Sequence, residues 1–242
     1  MVSLPPEFSP KMLICDIDGT LTRQDYSIHP DVPAALRRLE EIGIPVALAT
    51  GNVRPVAWGI ARQLGVSGPL VSENGGVIWD WRVGGDVVRL ADGGRARAAA
   101  EWLATKMDGF DAYGIESNAW RESEWCLHTS ENDEEMRRLL AASEWSDLSI
   151  TRTGFAIHLA DPALHKASGV ARALAMRGID AADVIAVGDA PNDIPMFRLV
   201  GFSAAVGNAF EATKEAADIT IDAPNGAAVS MLVDAIIQHL ER

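Results

Sequence analysis

Asp16 and Asp18 stand one residue apart in the run Asp16-Ile17-Asp18-Gly19-Thr20, where an apolar stretch gives way to a glycine turn. Carboxylates this close repel each other, and one pKa rises unless a cation neutralises them. A hard, oxygen-liganded ion such as Mg²⁺ is the natural partner; a solvated Asp/Gly turn is the plainer alternative. A second set, Gly188-Asp189-Ala190-Pro191-Asn192-Asp193, follows the apolar run 184–187. Asp189 and Asp193 can complete an oxygen shell with Asp16, or the segment can be an Asx turn that opens a helix. Thr50-Gly51-Asn52 offers a hydroxyl and backbone N–H groups to phosphate oxygens, or an ordinary N-cap. Lys166 is a cation near a helix start, which on its own reads as a surface lysine.

These residues gain meaning from the elements that must carry them. Residues 12–17 and 44–49 are short apolar runs that suit strands buried on both faces. Between them, Pro30 and Asp31 mark a helix start, Val32, Leu36, Leu39 and Ile42 recur at helical spacing, and Gly43 falls at C′. Val56, Ile60 and Leu64 mark a second helix, and residues 69–72 a third strand. This alternation implies a parallel sheet with helices on both faces. The rhythm breaks at Val77, where residues 77–79 and 87–90 flank Gly84-Gly85-Asp86 as a β-hairpin. Helices over 94–107 and 132–143, a strand within 120–128 and a hairpin of 148–152 with 155–159 follow. From Leu164 the βα rhythm returns: helices over 166–176, over 194–199 and near Glu211, strands over 183–187, 202–206 and 219–221, and a C-terminal helix carrying Val229, Leu232, Val233, Ile236 and Leu240. The expected architecture is α/β: a Rossmann-like three-layer parallel-sheet core from residues 1–83 and 158–242, enclosing an α+β cap over 84–157. Asp16, Thr50 and Asp189 then all fall at the carboxyl ends of strands, where ligands bind in open α/β sheets. Together the two carboxylate sets favour metal binding over two coincidental turns.

The 242 residues are 48% hydrophobic, enough for a sizeable core and too apolar for a disordered chain. Acids outnumber bases 34 to 21, and the net charge of −13 opposes nonspecific attraction to nucleic acid or an anionic membrane. The cap segment 84–157 carries 14 acids against 8 bases, so part of the core's excess is the metal-type cluster itself. Cys15 and Cys126 lie far apart, without metal-type or disulfide-framework spacing. The opening MVSLPPEFSPK does not read as a signal peptide, and no apolar run approaches the ~18 residues of a membrane span, so a cytoplasmic protein is expected.

Taken in order, the four constellations resemble those of the haloacid dehalogenase superfamily of phosphohydrolases. Asp16 to Thr20 matches the first motif, Thr50 the second, Lys166 the third, and Gly188-Asp189 with Asn192-Asp193 the fourth. An insertion between the second and third motifs is similar to the type II cap. Ala49-Thr50-Gly51-Asn52, the Glu73-Asn74-Gly75-Gly76 turn and the short cap resemble the archaeal-type phosphoglycolate phosphatases. The resemblance implies a covalent mechanism: Asp16 as nucleophile, Asp18 as general acid and base, and Lys166 and Thr50 as binders of phosphoryl oxygens. Gly51, Asn52 and Asn192 would support the substrate. Mg²⁺ would be held by Asp16, the Asp18 backbone carbonyl, Asp189 and Asp193. The implied substrate is a small phosphorylated metabolite, with 2-phosphoglycolate favoured. The alternatives are a sugar-phosphate or phosphoglycerate-type phosphatase, a phosphomutase or phosphotransferase, and a metabolite-binding module without catalysis.

Other residues are read structurally. His29, His128, His158, His165 and His239 show no paired spacing. The tryptophans at 79, 81, 102, 120, 125 and 145 suit core packing or a homodimer interface better than sugar stacking. Arg121 suits bidentate contact with a substrate carboxylate, although a solvated position is its expected fate.

Overall fold

The computed structural model describes residues 2–241; Met1 and Arg242, the outer ends of the expected core, lie outside the described residues. The first half of the core runs β1 (Met12–Cys15), α1 (Val32–Glu41), β2 (Val46–Ala49), α2 (Arg54–Leu64), β3 (Leu70–Ser72), β4 (Val77–Trp79) and β5 (Val88–Arg89). The insertion follows with α3 (Gly93–Ala104), β6 (Glu124–Leu127), α4 (Asp133–Ala141), β7 (Ser149–Arg152) and β8 (Ile157–Ala160). The chain then returns through α5 (Lys166–Arg177), β9 (Val184–Gly188), α6 (Ile194–Phe197), β10 (Phe202–Val206), α7 (Glu211–Ala216), β11 (Ile219–Ile221) and α8 (Asn225–Leu240).

Eight strands form one sheet in the order β11-β10-β9-β1-β2-β3-β4-β5. The six from β11 to β3 are parallel, and β4 and β5 add an antiparallel edge. Every residue of β1 is buried, as expected of a short apolar run covered on both faces. From β1 the chain winds outward through β2 and β3, then returns to β9 on the other side of β1, so the switch in strand order falls between β1 and β9. A crevice at such a switch point is where this architecture binds ligands. Helices α1 and α8 pack together on the core. Leu36, Leu39, Leu232 and Val233 are fully buried there, each contributing roughly 1.5–3 kcal/mol by leaving water.

The smaller sheet, β6-β8-β7, is antiparallel and backs onto a separate apolar cluster that includes Leu103, Leu127, Met136 and Leu159. Sheet membership places residues 88–89 with the core and residues 157–160 with the insertion, a few residues beyond the boundaries expected at 84 and 157.

Three local readings need correction. Pro30 precedes α1 instead of opening it; the proline of the first turn is Pro33, and Asp31 is the N-cap residue without a side-chain cap bond. The buried face of α2 is Ala57, Ala61 and Leu64, whereas Val56 is exposed, because small residues let the helix lie close to the sheet. Leu240, placed on the buried stripe of α8, is exposed as the last residue of the helix. Of the tryptophans, Trp79 and Trp81 pack on the core cluster, Trp102, Trp125 and Trp145 belong to the cap cluster, and Trp120 is exposed.

Candidate active site

Strand pairing assembles the site. Cys15 and Val187 are register partners in β1 and β9, and the next N–H along β1, that of Asp16, donates to Val187 O at 3.0 Å. The residues leaving both strands therefore emerge side by side. Carboxylate oxygens of Asp16, Asp189 and Asp193 lie within 4.8 Å of one another, and all three residues are buried. The turn at Gly19 runs against them with φ +83°, and a Cβ built there would sit 2.3 Å from Asp189 Oδ2. Glycine is thus required on both backbone and steric grounds.

Lys166 enters from the first turn of α5. His165 caps that helix, accepting from Ser168 N at 3.1 Å, while Ser168 Oγ accepts from His165 N at 3.2 Å. At the far end of α5, Arg177 donates to Asp80 at 2.7 Å and to Ser67 O at 2.9 Å. So fixed, Lys166 points inward and is 1% exposed, donating to Asp16 Oδ1 at 2.5 Å and Asp193 Oδ1 at 2.6 Å. It is a buried ion-paired lysine, unlike the surface residue that isolated sequence suggests.

The electrostatics follow from burial. Desolvation pushes the Asp16 carboxyl well above the usual range; Lys166 opposes the shift, while Asp193 and Asp189 add to it. Desolvation, reinforced by Asp193, carries Asp189 up to about 7. Burial disfavours the Lys166 charge, but Asp16 and Asp193 outweigh it and hold its pKa above the ordinary lysine value. Three buried carboxylates facing one ammonium leave an excess of negative charge, which a divalent cation would compensate. The donor set, all hard oxygens, fits Mg²⁺. Asp193 is the most engaged of the three, since its Oδ2 also accepts from the N–H groups of Asp189 and Ala190, both at 3.0 Å.

The second loop lies alongside. Thr50 is fully buried, and its Oγ1 accepts from Asn52 N at 3.0 Å, which leaves its hydroxyl proton to donate elsewhere. The Asn52 side chain turns to Asp18, donating to Oδ2 at 2.5 Å. Asp18 itself is raised by burial, with Lys166 and Asn52 pulling the other way. Asn192 donates to Asn74 Oδ1 at 3.1 Å, and Asn74 in turn reaches His158 of β8. All the residues of the four motifs are thereby brought to one crevice.

The cap roofs that crevice. A cavity of 170 Å³ is bounded by Lys166, Asn74 and Asn192 below and by Glu124, Thr151 and His158 above. A larger one of 580 Å³, bordered by Arg97, Tyr113, Arg121 and Trp125, lies within the cap and is lined by none of the motif residues. Cap and core are joined through Glu73, whose buried carboxylate accepts from Glu122 N at 3.0 Å and from Ser123 N and Oγ, each at 2.9 Å. The turn that presents Glu73 bends through left-handed conformations, φ +52° at both Glu73 and Asn74. A Cβ at Gly75 would meet His165 O at 2.1 Å, so this turn packs directly on the start of α5.

Glu73, Asn74, Glu124 and His158 were not singled out by type and spacing. The Glu73-Asn74-Gly75-Gly76 turn entered only through the family resemblance, and nothing local shows that its carboxylate meets the cap. Arg121 departs most from expectation, because its side chain is 0% exposed. It pairs with Glu124 instead of facing solvent.

Comparison with known proteins agrees with this architecture. A sequence profile of haloacid dehalogenase-like hydrolases matches residues 13–92 and 111–233. A phosphoglycolate phosphatase of Archaeoglobus fulgidus is 36% identical over 224 residues, covering 92% of this chain and 95% of that protein. One from Methanopyrus kandleri is 31% identical over 231 residues, covering 95% and 98%. Among solved structures, a Thermoplasma acidophilum protein superposes with a TM-score of 0.84 at 25% identity, covering 95% of this chain and 99% of that one. The carboxylates at two adjacent strand ends, the lysine between them and the full-length likeness lead to one conclusion: the chain belongs to the haloacid dehalogenase-like hydrolase family.

Proposed function

We propose that this chain is a Mg²⁺-dependent phosphomonoesterase that works through an aspartyl-phosphate and acts on a small phosphorylated metabolite, with 2-phosphoglycolate as its substrate. The observation that carries the reading is the buried group Asp16, Asp189 and Asp193 around the Lys166 ammonium. The substrate rests on the phosphoglycolate phosphatases that match nearly the whole chain and on the small volume of the crevice beneath the cap.

In the first step an Asp16 oxygen attacks phosphorus while the bond from phosphorus to the ester oxygen breaks. Lys166 engages Oδ1, so Oδ2 is the oxygen that attacks. Asp18 gives the leaving alkoxide its proton, a role suited to a carboxyl raised by burial. Asn52 keeps that carboxyl aimed. In the second step a water attacks the phosphorus of the aspartyl-phosphate, Asp18 takes its proton, and the Asp16 carboxylate is released with inorganic phosphate. Lys166 and the Thr50 hydroxyl hold the phosphoryl oxygens on which charge is spread. A Mg²⁺ held by Asp16, Asp189, Asp193 and the Asp18 backbone carbonyl would neutralise carboxylate and phosphoryl charge. The cap excludes bulk water and limits the size of the leaving group.

A sugar-phosphate substrate is the second reading, favoured by the hydroxyls of Ser149, Thr151 and Thr153 around the same cavity. Phosphate release from a panel of phosphorylated metabolites, with and without Mg²⁺, tests both. Strong Mg²⁺-dependent turnover of 2-phosphoglycolate, abolished in a folded Asp16→Asn protein, is expected. Undiminished hydrolysis by Asp16→Asn would exclude the nucleophile, and a sugar phosphate turned over far faster would replace the substrate.

A further inference from the structure

The enclosed Arg121 holds one nitrogen to two acceptors: Nη1 donates to Gly51 O at 3.3 Å and to the Glu124 carboxylate. The guanidinium therefore rests against the loop between Thr50 and Asn52. Its other two nitrogens, Nε and Nη2, are buried without a partner among the described residues. A charged donor stripped of water and left unpaired is costly, and two on one group call for an acceptor that the fold does not provide. These two nitrogens share one edge of a planar group. Their N–H bonds run parallel and match the two oxygens of a carboxylate.

The surroundings hold that edge in place while giving it no acceptor among the described residues. Glu124 is 3.0 Å from His158 Nδ1 and ion-paired to Arg121 through Nη1, so it fixes the plane of the guanidinium from the opposite side. A neutral hydroxyl accepts at one point and brings no charge, whereas a carboxylate satisfies both donors and the positive charge together. The phosphoryl group already has Lys166 and Thr50.

We propose that the Nε/Nη2 edge of Arg121 binds a carboxylate on the leaving group, so that Arg121 selects short phosphorylated hydroxy acids over neutral phosphate esters of the same length. This rests on the phosphomonoesterase reading and adds the residue that chooses the leaving group. The test compares kcat/KM for 2-phosphoglycolate with that for 2-hydroxyethyl phosphate, in which CH₂OH replaces the carboxylate, on the full chain with Mg²⁺. The unmodified protein should prefer the carboxylate ester by about 100-fold, the worth of a bidentate charged pair. Arg121→Met should reduce that ratio to within about threefold, and Arg121→Lys, which keeps charge but loses the fork, should fall between. A ratio near one in the unmodified protein overturns the inference without any variant. Equal losses on both esters in Arg121→Met overturn it as well, because they assign Arg121 to the phosphoryl group or to cap packing. If the unmodified protein hydrolyses neither these esters nor p-nitrophenyl phosphate, the phosphatase reading itself fails and takes the inference with it.

Discussion

Replacing Lys166 by Met separates the electrostatic role of this residue from its packing. Methionine keeps much of the side-chain length and deletes the ammonium that donates to Asp16 at 2.5 Å and Asp193 at 2.6 Å. Removing one partner of a buried ion pair costs about 3–5 kcal/mol, because the remaining charge is stranded. Here two carboxylates are stranded and Asp189 is within 4.8 Å, which places the metal-free protein at pH 8 near the upper end. The loss is capped by proton uptake, since burial already lifts Asp189 to about 7 and Asp16 well above its usual range. At pH 5.5 the cluster holds more protons, and the penalty should shrink by roughly 2 kcal/mol. Mg²⁺ at about 100 times its dissociation constant should return about 3 kcal/mol to either protein. Urea unfolding followed by tryptophan fluorescence measures all of this, in EDTA at pH 8 and 5.5 and in Mg²⁺ at pH 8. A Lys166→Met protein within about 1 kcal/mol of the parent at pH 8 in EDTA, against the 3–5 expected, would refute the charge argument. So would a loss that is independent of pH.

Asp189→Asn should stabilise the metal-free protein at pH 8 by up to about 4 kcal/mol, because a carboxyl raised on folding loses stability as pH climbs from its unfolded value of 3.8 through about 7. Below pH 4 the two proteins should converge, and saturating Mg²⁺ should reverse their order; a parent more stable than the variant at pH 8 in EDTA contradicts this. Gly19→Ala should weaken Mg²⁺ binding at least tenfold, about 1.4 kcal/mol, because its methyl displaces the Asp189 carboxylate; unchanged affinity by calorimetry would show that the turn can yield. Glu73→Ala removes the acceptor for the Glu122 and Ser123 amides, whose hydrogen exchange should quicken by about tenfold or more. Unchanged protection there would mean that the cap is held by other contacts.

Where chemistry follows directly on an apolar strand, local sequence was enough to read it. Met12 to Cys15 and Val184 to Gly188 are buried strands, and the acids that follow them emerge at their carboxyl ends. A short apolar run must be covered on both faces, and the polar residue after it must then leave the sheet at its edge. Small residues hide that logic. The alanines of α2 carry too little hydrophobic contrast to outrank Val56, yet only they allow close approach to the sheet. Likewise β5 and β8 read as hairpin strands from their own residues, but which sheet each joins depends on partners elsewhere in the chain.

Charged residues mark the boundary between what sequence and tertiary structure each decide. Type and spacing determined that Asp16, Asp18, Asp189 and Asp193 meet at strand ends, and with them the hydrolase family. Only the tertiary structure decided that Lys166 and Arg121 are enclosed, that Glu73 docks the cap, and that two nitrogens of Arg121 await an acceptor. The reason is physical: a charge is buried only where distant segments supply its counter-charge and hydrogen bonds, and a local sequence pattern contains none of those partners.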